Sequence, residues 1–340
     1  MPYPADQQNG REAGRVRVRL AVQPQERFSG KVATAMNPLY DDGNVSVYCG
    51  DAALLDFIPD GSVQLIVTSP PYNVEQDYGG DYDDRKPLSE YLALMDCWMR
   101  EMYRVLRPGG VLALNVPFTI GLAVFYSGRF RKLKNRYQGT TTKKIAEGPQ
   151  RSFPLASWSE LRLIEVGFLL RRGITWVKSP WDGEAYATSL AMGNQENPFM
   201  RSASERILLA SKDRYHRDGI KGHIPKDLID FVKDVWHISS YNRNTVTQRP
   251  WERNGHSCPF PLALPSRLIR LFSNPGDLVL DPFCGTGTTL EAAKVLGRRA
   301  IGVDIVEKWC KVAADHCRQM VFTEALPTIE EISGSVPSTR

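Results

Sequence analysis

The chain has 340 residues, with 43 Lys and Arg against 38 Asp and Glu and a formal net charge of +5; at roughly 150 residues per domain, that is material for one large domain or about two. Its 42% hydrophobic, 10% aromatic and 24% charged residues exclude a mostly disordered or fibrous chain, no run reaches the roughly 18 apolar residues of a membrane span, and residues 1–20 lack the apolar stretch of a signal peptide. Six scattered cysteines (Cys49, Cys97, Cys258, Cys284, Cys310, Cys317) make no Cys-x-x-Cys pair, which argues against a disulfide scaffold or structural zinc and for a reducing cytoplasm.

In chain order, residues 1–42 carry few apolar residues and include Arg11, Arg15, Arg17 and Arg19. They are expected to form a flexible basic arm, with one short strand near Val16–Val22. Val45–Cys49 reads as a short strand and Asp51 to Ile58 as a short helix. Val63–Thr68 (VQLIVT) is almost unbroken apolar sequence, as expected of a buried parallel strand. Ser69-Pro70-Pro71 ends it, because neither proline can donate to a ladder. Ser89 is placed to cap the next helix, whose apolar residues from Leu92 to Leu106 recur at three and four, and Pro108-Gly109-Gly110 to stop it. Val111–Val116 is the next strand, Trp158–Val166 a helix stopped by Gly167, and Phe168–Val177 a strand. The alternation lapses over 180–255 and returns at Pro261. Helix Leu264–Phe272, strand Leu278–Leu280, loop Asp281–Gly287, helix Thr288–Leu296, strand Ala300–Val303 and helix Glu307–Met320 then follow, with a disordered tail at 326–340.

Charge is unevenly spread. Residues 119–144 hold seven basic residues (Arg129, Arg131, Lys132, Lys134, Arg136, Lys143, Lys144) and no acid, and 199–255 hold eleven basic against seven acidic residues. Residues 40–90 hold eleven acids against Arg85 and Lys86. Lys/Arg runs are often plain solvated surface. Here aromatics interleave them (Phe130, Tyr137, Tyr215, Trp236, Tyr241, Trp251), a mixture that suits nucleic acid.

Two loops carry chemistry. In the first, a strand runs through Asp281-Pro282-Phe283-Cys284-Gly285-Thr286-Gly287 into a helix opening at Thr288. Glycines at a strand-to-helix turn let the backbone approach a ligand, and Asp304, ending the next strand 17 residues after Gly287, can accept both hydroxyls of a ribose. A tight turn without ligand fits the glycines equally well. The third glycine of the dinucleotide fingerprint is missing, which favours a mononucleoside-like cofactor over NAD. The second loop is Thr68-Ser69-Pro70-Pro71-Tyr72. Beside the bland reading of a turn, it offers a hydroxyl, a rigid carbonyl and an aromatic face at a strand's C-terminal edge, where open α/β sheets bind ligands. An exocyclic amino group is a poor nucleophile because its lone pair is delocalised into the ring. Accepting both its N–H bonds, on Ser69 Oγ and the Pro70 carbonyl, would localise that pair, with Tyr72 stacked on a base flipped out of the duplex. The five histidines (His216, His223, His237, His256, His316) show no metal-ligand spacing, so no metal is expected, and Cys284 is read as structural.

TSPPY paired with DPFCGTGTT, in that order, resembles the β-class DNA amino-methyltransferases, which use S-adenosylmethionine. The resemblance spans residues 45–321 and implies an α/β fold: a doubly wound, mostly parallel seven-stranded sheet, Rossmann-like and circularly permuted. A catalytic part over 43–180 would carry a basic insertion at 119–155, a target-recognition region would fill 181–255, and a cofactor part 256–325. Position by position, Ser69, Pro70, Pro71 and Tyr72 match the catalytic motif, and Asp281, Phe283, Gly285, Gly287 and Thr288 the cofactor loop. Asp304 matches the ribose-binding acid and Asp51 the acid near the cofactor adenine. Trp176-Val177-Lys178 resembles the strand before the recognition region, and His256–Leu268 the segment at the methionine end. Arg129, Arg131, Lys132, Lys134, Arg136, Arg201, Arg243 and Arg249 are the expected DNA contacts. Serine before Pro-Pro-Tyr resembles the N4-cytosine enzymes, and Asp or Asn there the N6-adenine enzymes. The implied partners are double-stranded DNA and a cognate restriction endonuclease, for a cytoplasmic monomer or homodimer. An RNA methyltransferase and an inactive DNA-binding regulator remain as other classes.

Overall fold

The computed structural model describes residues 36–74, 76, 78, 82–121, 152–178, 193–194, 197–198, 203–217, 226–238 and 261–319, all within one compact unit, 32–340. In chain order the elements are β1 (Tyr40–Asp41), β2 (Val45–Cys49), β3 (Val63–Thr68), α1 (Leu88–Val105), β4 (Leu106–Val116), β5 (Ile120–Gly121), β6 (Ser152–Phe153), α2 (Leu155–Val166), β7 (Phe168–Leu170), β8 (Ile174–Val177), β9 (Gly193–Asn194), β10 (Asn197–Pro198), β11 (Ser204–Lys212), a 3-10 segment Lys226–Val232, β12 (Val235–His237), α3 (Ala263–Phe272), β13 (Leu278–Asp281), α4 (Thr288–Val295), β14 (Arg299–Asp304) and α5 (Glu307–Gln319).

The main sheet runs β1-β2-β14-β13-β3-β4-β11-β8-β12, with β7 beside β11. From β2 to β8 this is the expected seven-position sheet; short β1, β7 and β12 bring it to ten strands. Strands β2, β14, β13, β3 and β4 pair in parallel, and β11 lies antiparallel between β4 and β8. Side chains alternate across β3: Leu65 and Val67 join the core beneath α3, α4 and α5, while Ile66 joins the one beneath α1 and α2. With both faces covered, every residue of β3 is buried, which is why its sequence is a continuous apolar run. On α1, Tyr91, Met95, Trp98, Met99, Met102 and Val105 form the buried stripe, each large side chain contributing on the order of 1.5–3 kcal/mol.

Several expectations are corrected. Asp51–Ile58 is a chain of turns, not a helix. Asp51 Oδ1 accepts the Ala53 N–H, and the Arg104 guanidinium donates to the Leu55 and Ile58 carbonyls, which a helix would use differently. Ser89 does not cap α1: the helix starts at Leu88 with Pro87 before it and no side-chain cap. Pro108-Gly109-Gly110 does not stop α1, which ends at Val105; the triplet lies inside β4 as an irregularity, the pairing jumping from Val63↔Leu106 to Leu65↔Val111. Phe168–Val177 is two strands, broken where a Cβ on Gly173 would lie 2.8 Å from the Ile207 carbonyl. The arm does not reach residue 42, since Tyr40–Asp41 pair with β2 and Lys294 holds Asp42. The target-recognition range 181–255 is interrupted by β11, a sheet strand whose Ile207–Ser211 segment is buried. The bounds of the basic insertion are closed by pairing of β5 with β6, and α2 begins at Leu155. Residues 1–35, 122–151 and 320–340, with the arm strand and tail expected there, lie outside the described residues.

Candidate active site

The C-terminal ends of β3, β13, β14 and β2 open onto one cleft of about 1080 Å³, lined by Ser69, Pro70, Pro71 and Tyr72 from one loop and by Asp281, Phe283, Gly285 and Thr288 from the other. Asp51 and Asp304 line it from the ends of β2 and β14, neighbouring strands with Cys49 opposite Asp304. Ten of the eleven residues expected for catalysis and cofactor binding thus share one cavity. The exception is Gly287. It caps α4 at φ +87°, and a Cβ there would stand 3.2 Å from the Ala313 Cβ of α5, so its part is to let α4 approach α5.

The Ser69–Asn73 loop is clamped from below. Tyr91, fully buried, donates its hydroxyl to the Pro71 carbonyl at 2.9 Å. The buried Asp84 carboxylate accepts the Asn73, Val74 and Gln76 N–H groups at 2.8–3.0 Å, and the Asn73 side chain pairs with both backbone groups of Lys86. Asn73 takes φ +57°, a left-handed conformation that Asn tolerates. Among the described residues the Pro70 carbonyl accepts no hydrogen bond. Two neighbouring carbonyls thus differ: that of Pro71 is anchored by Tyr91, and that of Pro70 has no partner among the described residues.

Asp281 joins the two loops. Its Oδ1 accepts the Thr68 hydroxyl at 2.7 Å and the Phe283 N–H at 3.1 Å, and its Oδ2 accepts the Thr289 hydroxyl at 2.6 Å. Burial raises its carboxyl from 3.8 to about 6, although all three hydrogen bonds pull the other way. Asp304 holds the Gly285 N–H on Oδ2 and the Val306 N–H on Oδ1, both at 2.9 Å, and burial raises it too. Each of its oxygens keeps a lone pair for a diol. His316 braces the loop from behind, Nδ1 at 3.0 Å from the Thr286 carbonyl and Nε2 at 3.1 Å from Glu291. Burial holds Cys284 well above the usual thiol range, a neutral thiol and no nucleophile.

A third group arrives from elements the motifs do not include. Ser69 Oγ lies 2.8 Å from the Tyr72 hydroxyl, which receives the Asn115 Nδ2–H at 2.9 Å and lies 3.3 Å from Glu205 Oε2. Asn115 Nδ2 also donates to Glu205 at 2.6 Å, and Lys178 pairs with the other Glu205 oxygen. Asn115 is next to last in β4 and Glu205 is second in β11. Asn115 left a signal in sequence, a lone polar residue in the apolar run LALNV, whereas Glu205 stands between Ser204 and Arg206 and left none.

Three buried polar atoms of the cleft have no partner among the described residues: Trp98 Nε1, the Tyr82 hydroxyl and Asn115 Oδ1. The cleft exceeds the upper end of the roughly 300–1,000 Å³ typical of small-ligand pockets, consistent with room for a nucleoside cofactor and a base together. The expected DNA contacts Arg129, Arg131, Lys132, Lys134, Arg136, Arg201, Arg243 and Arg249 all lie outside the described residues. Among the described residues no acidic, His or Cys cluster could hold a metal, and no helix is long and apolar enough to cross a membrane.

A family model described as DNA methylase matches residues 63–315. The Type II methyltransferase M.MjaI of Methanocaldococcus jannaschii is 29% identical over 295 residues, covering 77% of this chain and 87% of the relative. M.BglII of Bacillus subtilis, also a Type II methyltransferase, is 30% identical over 281 residues, covering 78% and 67%. Among solved structures, TTHA0409 of Thermus thermophilus in complex with S-adenosyl-L-methionine superposes with a TM-score of 0.54 at 29% identity, covering 80% of this chain and 93% of that one. The PvuII DNA methyltransferase, cytosine-N4-specific, gives 0.58 at 21% identity with 88% and 94% covered, a likeness of fold.

Proposed function

We propose, on the premise that this chain belongs to the DNA methylase family whose model spans its residues 63–315, that it methylates the exocyclic N4 of cytosine in duplex DNA. S-adenosylmethionine is the methyl donor and supplies an electrophilic methyl group on a sulfonium. The observation that carries the cytosine reading is a serine at 69, where the adenine-type motif has an acid or amide. Ser69 Oγ and the Pro70 carbonyl accept the two N–H bonds of the everted base's amino group, and its lone pair becomes localised for attack. The rigid Pro70-Pro71 backbone, tied down by Tyr91, holds those acceptors still, so their ordering cost is met before the base arrives. Tyr72 presents its ring to the base. Positive charge develops on nitrogen only during attack, and the surplus proton leaves to solvent afterwards, so no strong base is required.

In this reading Asp304 and Asp51 take the ribose and adenine ends of the cofactor, and Phe283, Gly285 and Thr288 line its seat. Asp281 and Gly287 shape the seat from behind. The arginines and lysines of 129–136, with Arg201, Arg243 and Arg249, neutralise DNA phosphates. The relatives are Type II methyltransferases, so we place the chain as the modification partner of a restriction endonuclease.

Mass spectrometry of nucleosides from plasmid treated with the protein tests the reaction. N4-methylcytosine is expected. N6-methyladenine would replace the base assignment, and labelled methyl appearing only in RNA, or in neither nucleic acid, would overturn the DNA reading. Ser69→Ala should lower turnover on the order of 10²-fold while still binding S-adenosylmethionine; unaltered turnover would remove the role given to that hydroxyl.

A further inference from the structure

We propose that Glu205 is a positioning residue: it sets the direction of the Tyr72–Ser69 hydroxyl chain, so that Ser69 meets the target amine with lone pairs instead of its proton. The inference rests on the methyl-transfer reading but not on which base is modified.

A hydroxyl pair such as Ser69 and Tyr72, 2.8 Å apart, can run in either direction. If Tyr72 donates to Ser69, the serine proton is left to face the cleft. If Ser69 donates to Tyr72, the serine oxygen faces the cleft with both lone pairs, as required to accept an amino N–H. The choice depends on where the Tyr72 proton goes. Among the described residues, two acceptors besides Ser69 lie near it: the Asn115 backbone carbonyl at 3.5 Å and Glu205 Oε2 at 3.3 Å. A carboxylate only accepts and is the stronger partner. The Tyr72 oxygen already receives one N–H from Asn115 Nδ2 at 2.9 Å. With its own proton drawn to Glu205, Tyr72 meets Ser69 as an acceptor and takes the serine proton.

Glu205 is itself held for this task. Its side chain is nearly buried and lines the cleft, Asn115 Nδ2 donates to Oε2 at 2.6 Å, and the Lys178 ammonium pairs with Oε1. Lys178 in turn lies 4.9 Å from the Trp176 ring centroid on β8. The carboxylate is therefore paired, oriented from two strands and unable to turn its back on Tyr72. Successive bonds in such a chain polarise one another, so the Ser69 oxygen becomes a better acceptor than an isolated hydroxyl.

The test is a double-mutant cycle on total labelled methyl transfer to DNA, with Glu205→Gln, Tyr72→Phe and the combination. Glu205→Gln should lower kcat about tenfold, the loss of a hydrogen bond to a charged group, with the KM for S-adenosylmethionine within about twofold of wild type. In the Tyr72→Phe background, where no tyrosine hydroxyl exists to be directed, the same substitution should change kcat by less than about twofold. An equal loss in both backgrounds would overturn the proposal, because Glu205 would then act on the base or on the fold and not through Tyr72. Should Glu205→Gln not fold, the paired Glu205→Met, Lys178→Met protein, which strands neither charge, gives the same two readings. Wild-type protein that transfers no methyl to DNA would instead sink the methyl-transfer reading, and this inference with it.

Discussion

Asp281 puts a carboxyl where no water reaches it and surrounds it with two threonine hydroxyls and one backbone N–H. Burial raises it from 3.8 to about 6, so between those values the folded protein keeps a proton that the unfolded chain has released. The stability this group contributes is therefore complete below about 3.8 and lost as pH rises through about 6. Asn is near the shape of the protonated acid and cannot ionise. The difference in melting temperature between Asp281→Asn and wild type should then move in the variant's favour from below about 3.8 to above about 6. A difference that stays flat would mean the carboxyl ionises as freely in the fold as outside it. Asp84, also raised by burial, is common to both proteins and cancels, whereas the Asp304 charge is one of the causes that raise Asp281 and belongs to the same difference. At this scale the motif residues were readable because each loop is contiguous in sequence. Glu205 was not, because it meets Tyr72 across 133 residues and no local pattern marks that encounter.

At the level of elements, the turn into α4 depends on Gly287. Its φ of +87° and the 3.2 Å approach a Cβ would make to Ala313 leave no room for alanine without strain. Gly287→Ala should cost about 1–2 kcal/mol in urea unfolding and weaken cofactor binding by tilting α4. A variant as stable as wild type would show that α4 and α5 can separate freely. The elements most faithfully foretold are those whose burial leaves a periodic trace. β3 is apolar throughout because both faces are covered, and α1 repeats at three and four because one face is. The misread ones owe their form to distant partners. Arg104 takes the Leu55 and Ile58 carbonyls and so unmakes the helix expected over Asp51–Ile58. Between β7 and β8, the Ile207 carbonyl approaches Gly173 closely enough that a Cβ there would lie 2.8 Å from it. β11 was hidden because a nine-residue antiparallel strand, set where the sequence drops the β/α alternation, lacks the pattern that exposed the others.

Across the whole molecule, β5 and β6, the elements that flank the basic segment in sequence, pair Gly121 with Ser152. Replacing residues 122–151 with Asn-Gly, a dipeptide suited to a two-residue hairpin, should leave melting temperature and cofactor affinity unchanged. The slope of log DNA affinity against log salt should become shallower by about 0.9 for each phosphate no longer neutralised; an unchanged slope would take DNA binding away from this segment. The centre of the sheet has a consequence of another kind. β13 lies between β3 and β14, and Thr68 meets Asp281 across 213 residues. Such pairing across great sequence distance is slow to form, and it means that a nascent chain has no cleft until its last sheet strand has left the ribosome. Severing the backbone between 217 and 261 would yield two fragments, each holding one lip of the cleft. Catalysis by such a split protein would depend on their concentration, because it would first require them to find each other.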